Sequence, residues 1–185
     1  MMARMPIDMF IEPEQDPRVD APTTGPELAT LTGFLGWHRD TLELKCSGLD
    51  AEALACRPIG PSSLSLLGLV RHMADVERSW FRRVMAGLDA PAIFYSPEDR
   101  DGDFDNVGPD PALVAEAWQA WRAEIAFADQ FVAAAPSLDL LAERTTSDGQ
   151  RMSLRWVLNH MIEEYARHCG HADLIRELID GAVGQ

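Results

Sequence analysis

Two of the five histidines in this 185-residue chain, His72 and His168, fall on apolar stripes of different predicted helices, and Glu164 stands one turn before His168. On a helix, residues four apart have Cβ atoms about 6 Å from each other. Two ligands can close across that span around a metal, with bonds of about 2.0 to 2.2 Å. His72 follows Leu69 by three and precedes Val76 by four, on the flank of its stripe. Its helical neighbours Ser65, Gly68 and Ser79 are small, which leaves space beside the ring. A lone carboxylate in a helical core is costly, so Glu164 requires a proton, a salt bridge or a metal. Two imidazoles and one carboxylate form the three-ligand set with an open fourth position found at catalytic zinc sites. The competing reading pairs Glu164 with Arg167 or Arg71 at the core edge and leaves His72 simply hydrogen-bonded; spacing alone keeps both open.

The other reactive side chains rank lower. His171, three residues past His168, is expected to support the site or hold a ligand's polar group, and His160 to lie at its boundary. For each, a plain structural role is the more frequent one. His38 beside Trp37 reads as a surface imidazole next to a core indole. Cys169 adjoins His168, but successive helix residues point about 100° apart, so the two form no nucleophile and base pair. The five tryptophans are read as mainly core mass, with one or two able to wall a pocket. No histidine has a glutamate three residues before it, which removes the di-iron carboxylate pattern of helical bundles. Glycine-rich phosphate loops, a nucleophile elbow and H-E-x-x-H are also absent. The run Asp99, Asp101, Asp103, Asp105 resembles a calcium loop, but Phe104 stands where that loop needs glycine, so it reads as a solvated loop with some carboxylates bordering a pocket.

Four long helices must carry these residues. The first runs from Pro26 to Gly48, with Leu28, Leu31, Leu35 and Leu42 at near-heptad spacing. The second is capped by Ser62 or Ser63 and carries Leu66, Leu69, Met73, Val76, Trp80 and Val84 as far as Gly87. Asp110 and Pro111 open the third, which stops before Pro136. The fourth starts at Ser153 and ends at Gly181. Helices about 30 to 40 Å long with little strand signal between them imply an all-α four-helix bundle. Its two long crossover connections are Leu88 to Pro109 and Pro136 to Met152, the latter with a turn at Thr145 to Gly149. Residues 1–25 read as an irregular N-terminal arm and 26–185 as a single bundle domain.

Composition narrows the partners. Lys+Arg is 16 against Asp+Glu 30, a net charge of -14, which repels phosphate backbones and anionic membranes. No nucleic-acid or membrane partner is expected. No apolar run reaches bilayer length and the N-terminus lacks a signal-peptide core, so the expected location is the cytoplasm. Three cysteines without a C-x-x-C pair exclude a disulfide framework and a zinc ribbon.

The run Arg167-His168-Cys169-Gly170-His171-Ala172-Asp173-Leu174-Ile175-Arg176-Glu177 and the earlier Leu66-Leu67-Gly68-Leu69-Val70-Arg71-His72-Met73 resemble the DinB/YfiT-like metalloenzyme superfamily, in its actinobacterial branch. The similarity runs from Leu28 to Gly181 and includes Trp37-His38-Arg39, Arg57-Pro58, Trp80-Phe81-Arg82-Arg83 and Asp101-Gly102-Asp103-Phe104. This resemblance implies a four-helix bundle, often dimeric, holding a divalent metal through one histidine of the second helix, matched by His72, and two ligands of the fourth. Many members carry His-x-x-x-His on the last helix; Glu164-x-x-x-His168 here matches the variant of mycothiol-dependent members such as maleylpyruvate isomerases.

The expected activity is accordingly metal-dependent thiol S-transfer, joining a small-molecule thiol such as mycothiol or bacillithiol to an electrophile. Zinc is the first choice of metal, with nickel, iron and manganese as alternatives, and a homodimer is the expected assembly. Arg71 or Arg167 are candidates to hold the thiol's polar groups. The rival readings are a hydrolase using metal-bound water with Asp75 as general base, and a non-catalytic metal-binding or ligand-binding dimer of the stress-response kind.

Overall fold

A computed structural model describes residues 11, 13–145 and 148–184. Most of the N-terminal arm's first half, and Thr146 and Ser147 of the expected turn, lie outside the described residues. The helices are α1 (Glu27–Cys46), α2 (Ala51–Ala55), α3 (Leu66–Glu77), α4 (Gly102–Asp105), α5 (Pro111–Ala134) and α6 (Leu154–Asp180). No strand occurs among the described residues, only an isolated bridge between Leu141 and Ser153. The all-α architecture is the expected one, and its four long helices are α1, α3 with its continuation, α5 and α6. None of the described helices is long and apolar enough to cross a membrane.

Helix starts follow the capping chemistry of the sequence. Asp110 accepts from the Ala112 N–H at 2.8 Å, and Ser153 Oγ accepts from the Trp156 N–H at 3.2 Å. Gly181 closes α6 with φ of 78°, the left-handed conformation that glycine adopts without a Cβ penalty. α3 departs from expectation. Its cap is Ser65, whose buried Oγ accepts from the Gly68 N–H at 3.0 Å, in place of Ser62 or Ser63. After Glu77 the chain stays helical but widens into a π-helix, Arg78–Met85. Removing the Ser153 cap as Ser153→Ala should cost about 1 kcal/mol, read from urea unfolding.

α1 packs along α6 and α3 along α5, while α3 also contacts α6 and so joins the two pairs. The core between them includes Leu42, Leu69, Met73, Trp121, Val157, Met161, Tyr165 and Ile175, each at most 2% exposed. Within it sits a polar network that touches all four long helices. Arg39 of α1 donates from Nε and Nη2 to the two oxygens of Glu77 on α3, at 2.8 and 2.9 Å, and from Nη1 to Asp129 of α5 at 2.8 Å. Tyr165 of α6 donates to Glu77 Oε1 at 2.8 Å and accepts from Trp121 Nε1 of α5 at 2.9 Å. Glu77 is fully buried, and both its oxygens are engaged.

The first long connection is tied back onto α3. Asp75 accepts from the N–H groups of Ile93 at 2.6 Å and Phe94 at 2.9 Å, and Arg78 donates to the Pro91 carbonyl at 2.7 Å. α4 then lies over Gly68, where even a methyl group would come within 2.8 Å of the Phe104 ring.

Candidate metal centre

α3 presents His72, and α6 presents Glu164 and His168 one turn apart, where these two helices meet. The three offer one ligand atom each, and these atoms all lie within 4.8 Å of one another. The His72 and His168 ring centroids are 4.8 Å apart. The residues that spacing singled out on separate helices thus converge.

The surroundings of Glu164 bear on the arginine pairing of the competing reading. Its Oε1 lies 3.3 Å from His160 Nε2 and its Oε2 lies 3.7 Å from His168 Nε2. Neither proposed arginine reaches it. Arg167 lies 3.6 Å from Glu163 on the outer face, and Arg71 turns away to donate to the carbonyls of Gly102 and Asp103, both at 3.0 Å. Arg71 is buried, so it holds α4 in place and is not at a cavity mouth to grip a substrate.

Each imidazole has a partner for one nitrogen. His72 Nδ1 lies 2.8 Å from Asp103 Oδ2; an ionised carboxylate can only accept, so Nδ1 donates in this bond and Nε2 is the nitrogen that it leaves free. Asp103 is 5% exposed, which corrects its reading as part of a solvated loop. Arg71 and the α4 turn carry it under His72. The alternating aspartates offered no local signal, since the contact joins residues 31 apart. His168 Nδ1 lies 3.3 Å from His171 Nδ1, which puts His171 behind the cluster as expected. Burial, reinforced by the neighbouring His72, His171 and Arg167, pulls His168 down to about 4 and leaves a neutral ring at physiological pH.

His160 is closer to the centre than a boundary residue. It stacks on Trp156 at 5.0 Å and meets Trp80 edge-on at 4.6 Å, with Nε2 turned to Glu164. Trp121 is buried core, as read, whereas Trp156 is 46% exposed and Trp80 walls the site. His38 lies elsewhere, in a groove with Phe34 and Trp37.

A cleft of about 290 Å³ opens beside His72, lined also by Asp75, Ser79, Trp80, Tyr95 and Asp103. Asp75 reaches it with both oxygens already accepting from peptide N–H groups. The carboxylate that the rival hydrolase reading took as general base thus anchors the loop over the site. Burial pushes the thiols of Cys46 and Cys169 up to about 12, which keeps both protonated and unreactive.

The family model described as MST: Mycothiol-S-transferase matches residues 30–181. A search of curated proteins found no match.

Proposed function

Because the chain belongs to the mycothiol-S-transferase family, we propose that it is a metal-dependent thiol S-transferase that holds a divalent cation at His72, Glu164 and His168 and joins a low-molecular-weight thiol of the mycothiol kind to an electrophile. The observation that carries the metal is Glu164, a half-buried carboxylate whose ionic neighbours are imidazoles and no arginine. Two nitrogens and one carboxylate oxygen suit zinc first, with nickel, iron and manganese as the alternatives. Bound there, the cation would supply the positive charge that keeps a cosubstrate thiol as thiolate near neutral pH.

The chain's own groups prepare that chemistry. Asp103 fixes the His72 tautomer and ring orientation, and burial keeps His168 neutral. With Cys46 and Cys169 held protonated and the exposed Cys56 not among the residues lining the His72 cleft, the proposal takes its reactive sulfur from solution. A homodimer, implied by the resemblance, and a cytoplasmic location, expected from the sequence, belong to the same proposal.

The test is elemental analysis of protein purified without chelator, followed by incubation with mycothiol and monobromobimane. About one divalent ion per chain and conjugate formation above the uncatalysed rate are expected; wild-type protein that takes up no divalent metal would sink the reading. Asp103→Asn should weaken metal binding roughly 10- to 100-fold in chelator competition. Its unfolding midpoint should stay near wild type, since Arg71 grips α4 through backbone carbonyls.

A further inference from the structure

In a chain with nearly twice as many acidic as basic residues, an unneutralised guanidinium is conspicuous. Among the described residues, Lys45 and all the arginines but two have a hydrogen bond or an ion pair. The two without are Arg83 and Arg100, and both line one groove of about 530 Å³. Asp99, next to Arg100 in sequence, is spent elsewhere and accepts from Asn106 Nδ2 at 2.6 Å. The groove adjoins the His72 cleft, and Tyr95 and Arg100 line both. Ser96 adds a hydroxyl on the arginine side.

Resting on the S-transfer reading, we propose that Arg83 and Arg100 bind a carboxylate on the electrophile, so that the preferred substrates are anionic carbon electrophiles with the reactive carbon toward His72. Planar guanidinium groups match carboxylate oxygens in charge and geometry. The fold leaves these two unpartnered beside its candidate centre. In the transfer, the thiol sulfur forms a bond to the electrophilic carbon, the leaving group departs with its bonding electrons, and the thiol proton passes to water.

The matched pair 4-chloro-3,5-dinitrobenzoate and 4-chloro-3,5-dinitrobenzamide tests this, with mycothiol as thiol and chloride as leaving group. After division by the uncatalysed rates, wild-type kcat/KM should favour the benzoate by about tenfold or more. Arg83→Ala and Arg100→Ala should each lower the benzoate value roughly tenfold through KM, and leave the benzamide and the KM for mycothiol within about twofold. Absence of a preference, a preference that survives both substitutions, or a rise in the mycothiol KM instead would overturn the proposal. A second arm needs no turnover: quenching of tryptophan emission, with Trp80 in the cleft, by 3,5-dinitrobenzoate and 3,5-dinitrobenzamide, which have no leaving group. Tighter binding of the benzoate, weakened roughly tenfold in each variant, supports the arginine groove, and equal binding of the two overturns it. Should wild type conjugate neither chloride nor monobromobimane, the S-transfer reading fails and this arm still decides the groove.

Discussion

Glu164→Gln protein is expected to leave chelator-free purification with less than about a tenth of the wild-type metal and to form thiol conjugates about a thousandfold more slowly. Glutamine keeps the size of the side chain and removes its charge, so the substitution isolates the ligand role. Glu164 faces His160 and His168 and engages no arginine, so little of the fold depends on it. Its unfolding midpoint in metal-free buffer should therefore match metal-free wild type. Partners that merely touch a ligand are worth 10- to 100-fold in metal affinity, and a ligand itself is worth more. The rate loss follows from forfeiting several kcal/mol of charge stabilisation, at about 1.4 kcal/mol for each tenfold. Elemental analysis and the bimane assay check the two halves separately. Full metal content in the variant would remove Glu164 from the ligand set.

Glu77→Ala is expected to destabilise the protein by about 3 to 5 kcal/mol, the usual cost of stripping one partner from a buried ion pair. The loss leaves Arg39 buried with only Asp129 and takes the acceptor from the Tyr165 O–H, which keeps only the bond it accepts from Trp121. Urea unfolding measures the effect. Tyr165 follows Glu164 directly on α6, and Glu77 lies five residues after His72 on α3. The network therefore also sets the depth at which the two ligand-bearing helices meet. Where enough variant folds to assay, its metal affinity should fall as well.

How much of this was legible in the sequence depends on the range of each interaction. The caps at Asp110, Ser153 and Gly181 act within three or four residues, so local pattern located three helix ends. The start of α3 was misplaced because Ser62, Ser63 and Ser65 are chemically equal as caps, and the choice belongs to the residue whose hydroxyl reaches Gly68. His72, Glu164 and His168 could be singled out because polar ligands on an apolar stripe contradict their own helix. Asp103, Arg71 and Glu77 could not. Asp103 sits in a run of aspartates that looks fully solvated, and Glu77 is explained only by Arg39 and Tyr165 on other helices. The groove of Arg83 and Arg100 was hidden for the same reason, because being unpartnered is visible only once every other cation's partner is known.

The π-helix of Arg78–Met85 has a further consequence for redesign. Bonds from residue i to i+5 pass over one residue more per turn than those of an α-helix, so the segment behaves like an α-helix that has absorbed an insertion. Upstream of it the rotational phase is set by His72 and Glu77. Within it the phase is set by Arg82, which turns inward to Glu124 at 2.5 Å, and by Arg83, which lines the groove. The wide segment uncouples the two phases as a slip joint would. Specificity on the arginine side can thus be respaced by a one-residue insertion or deletion there, while the ligand end of α3 keeps its register.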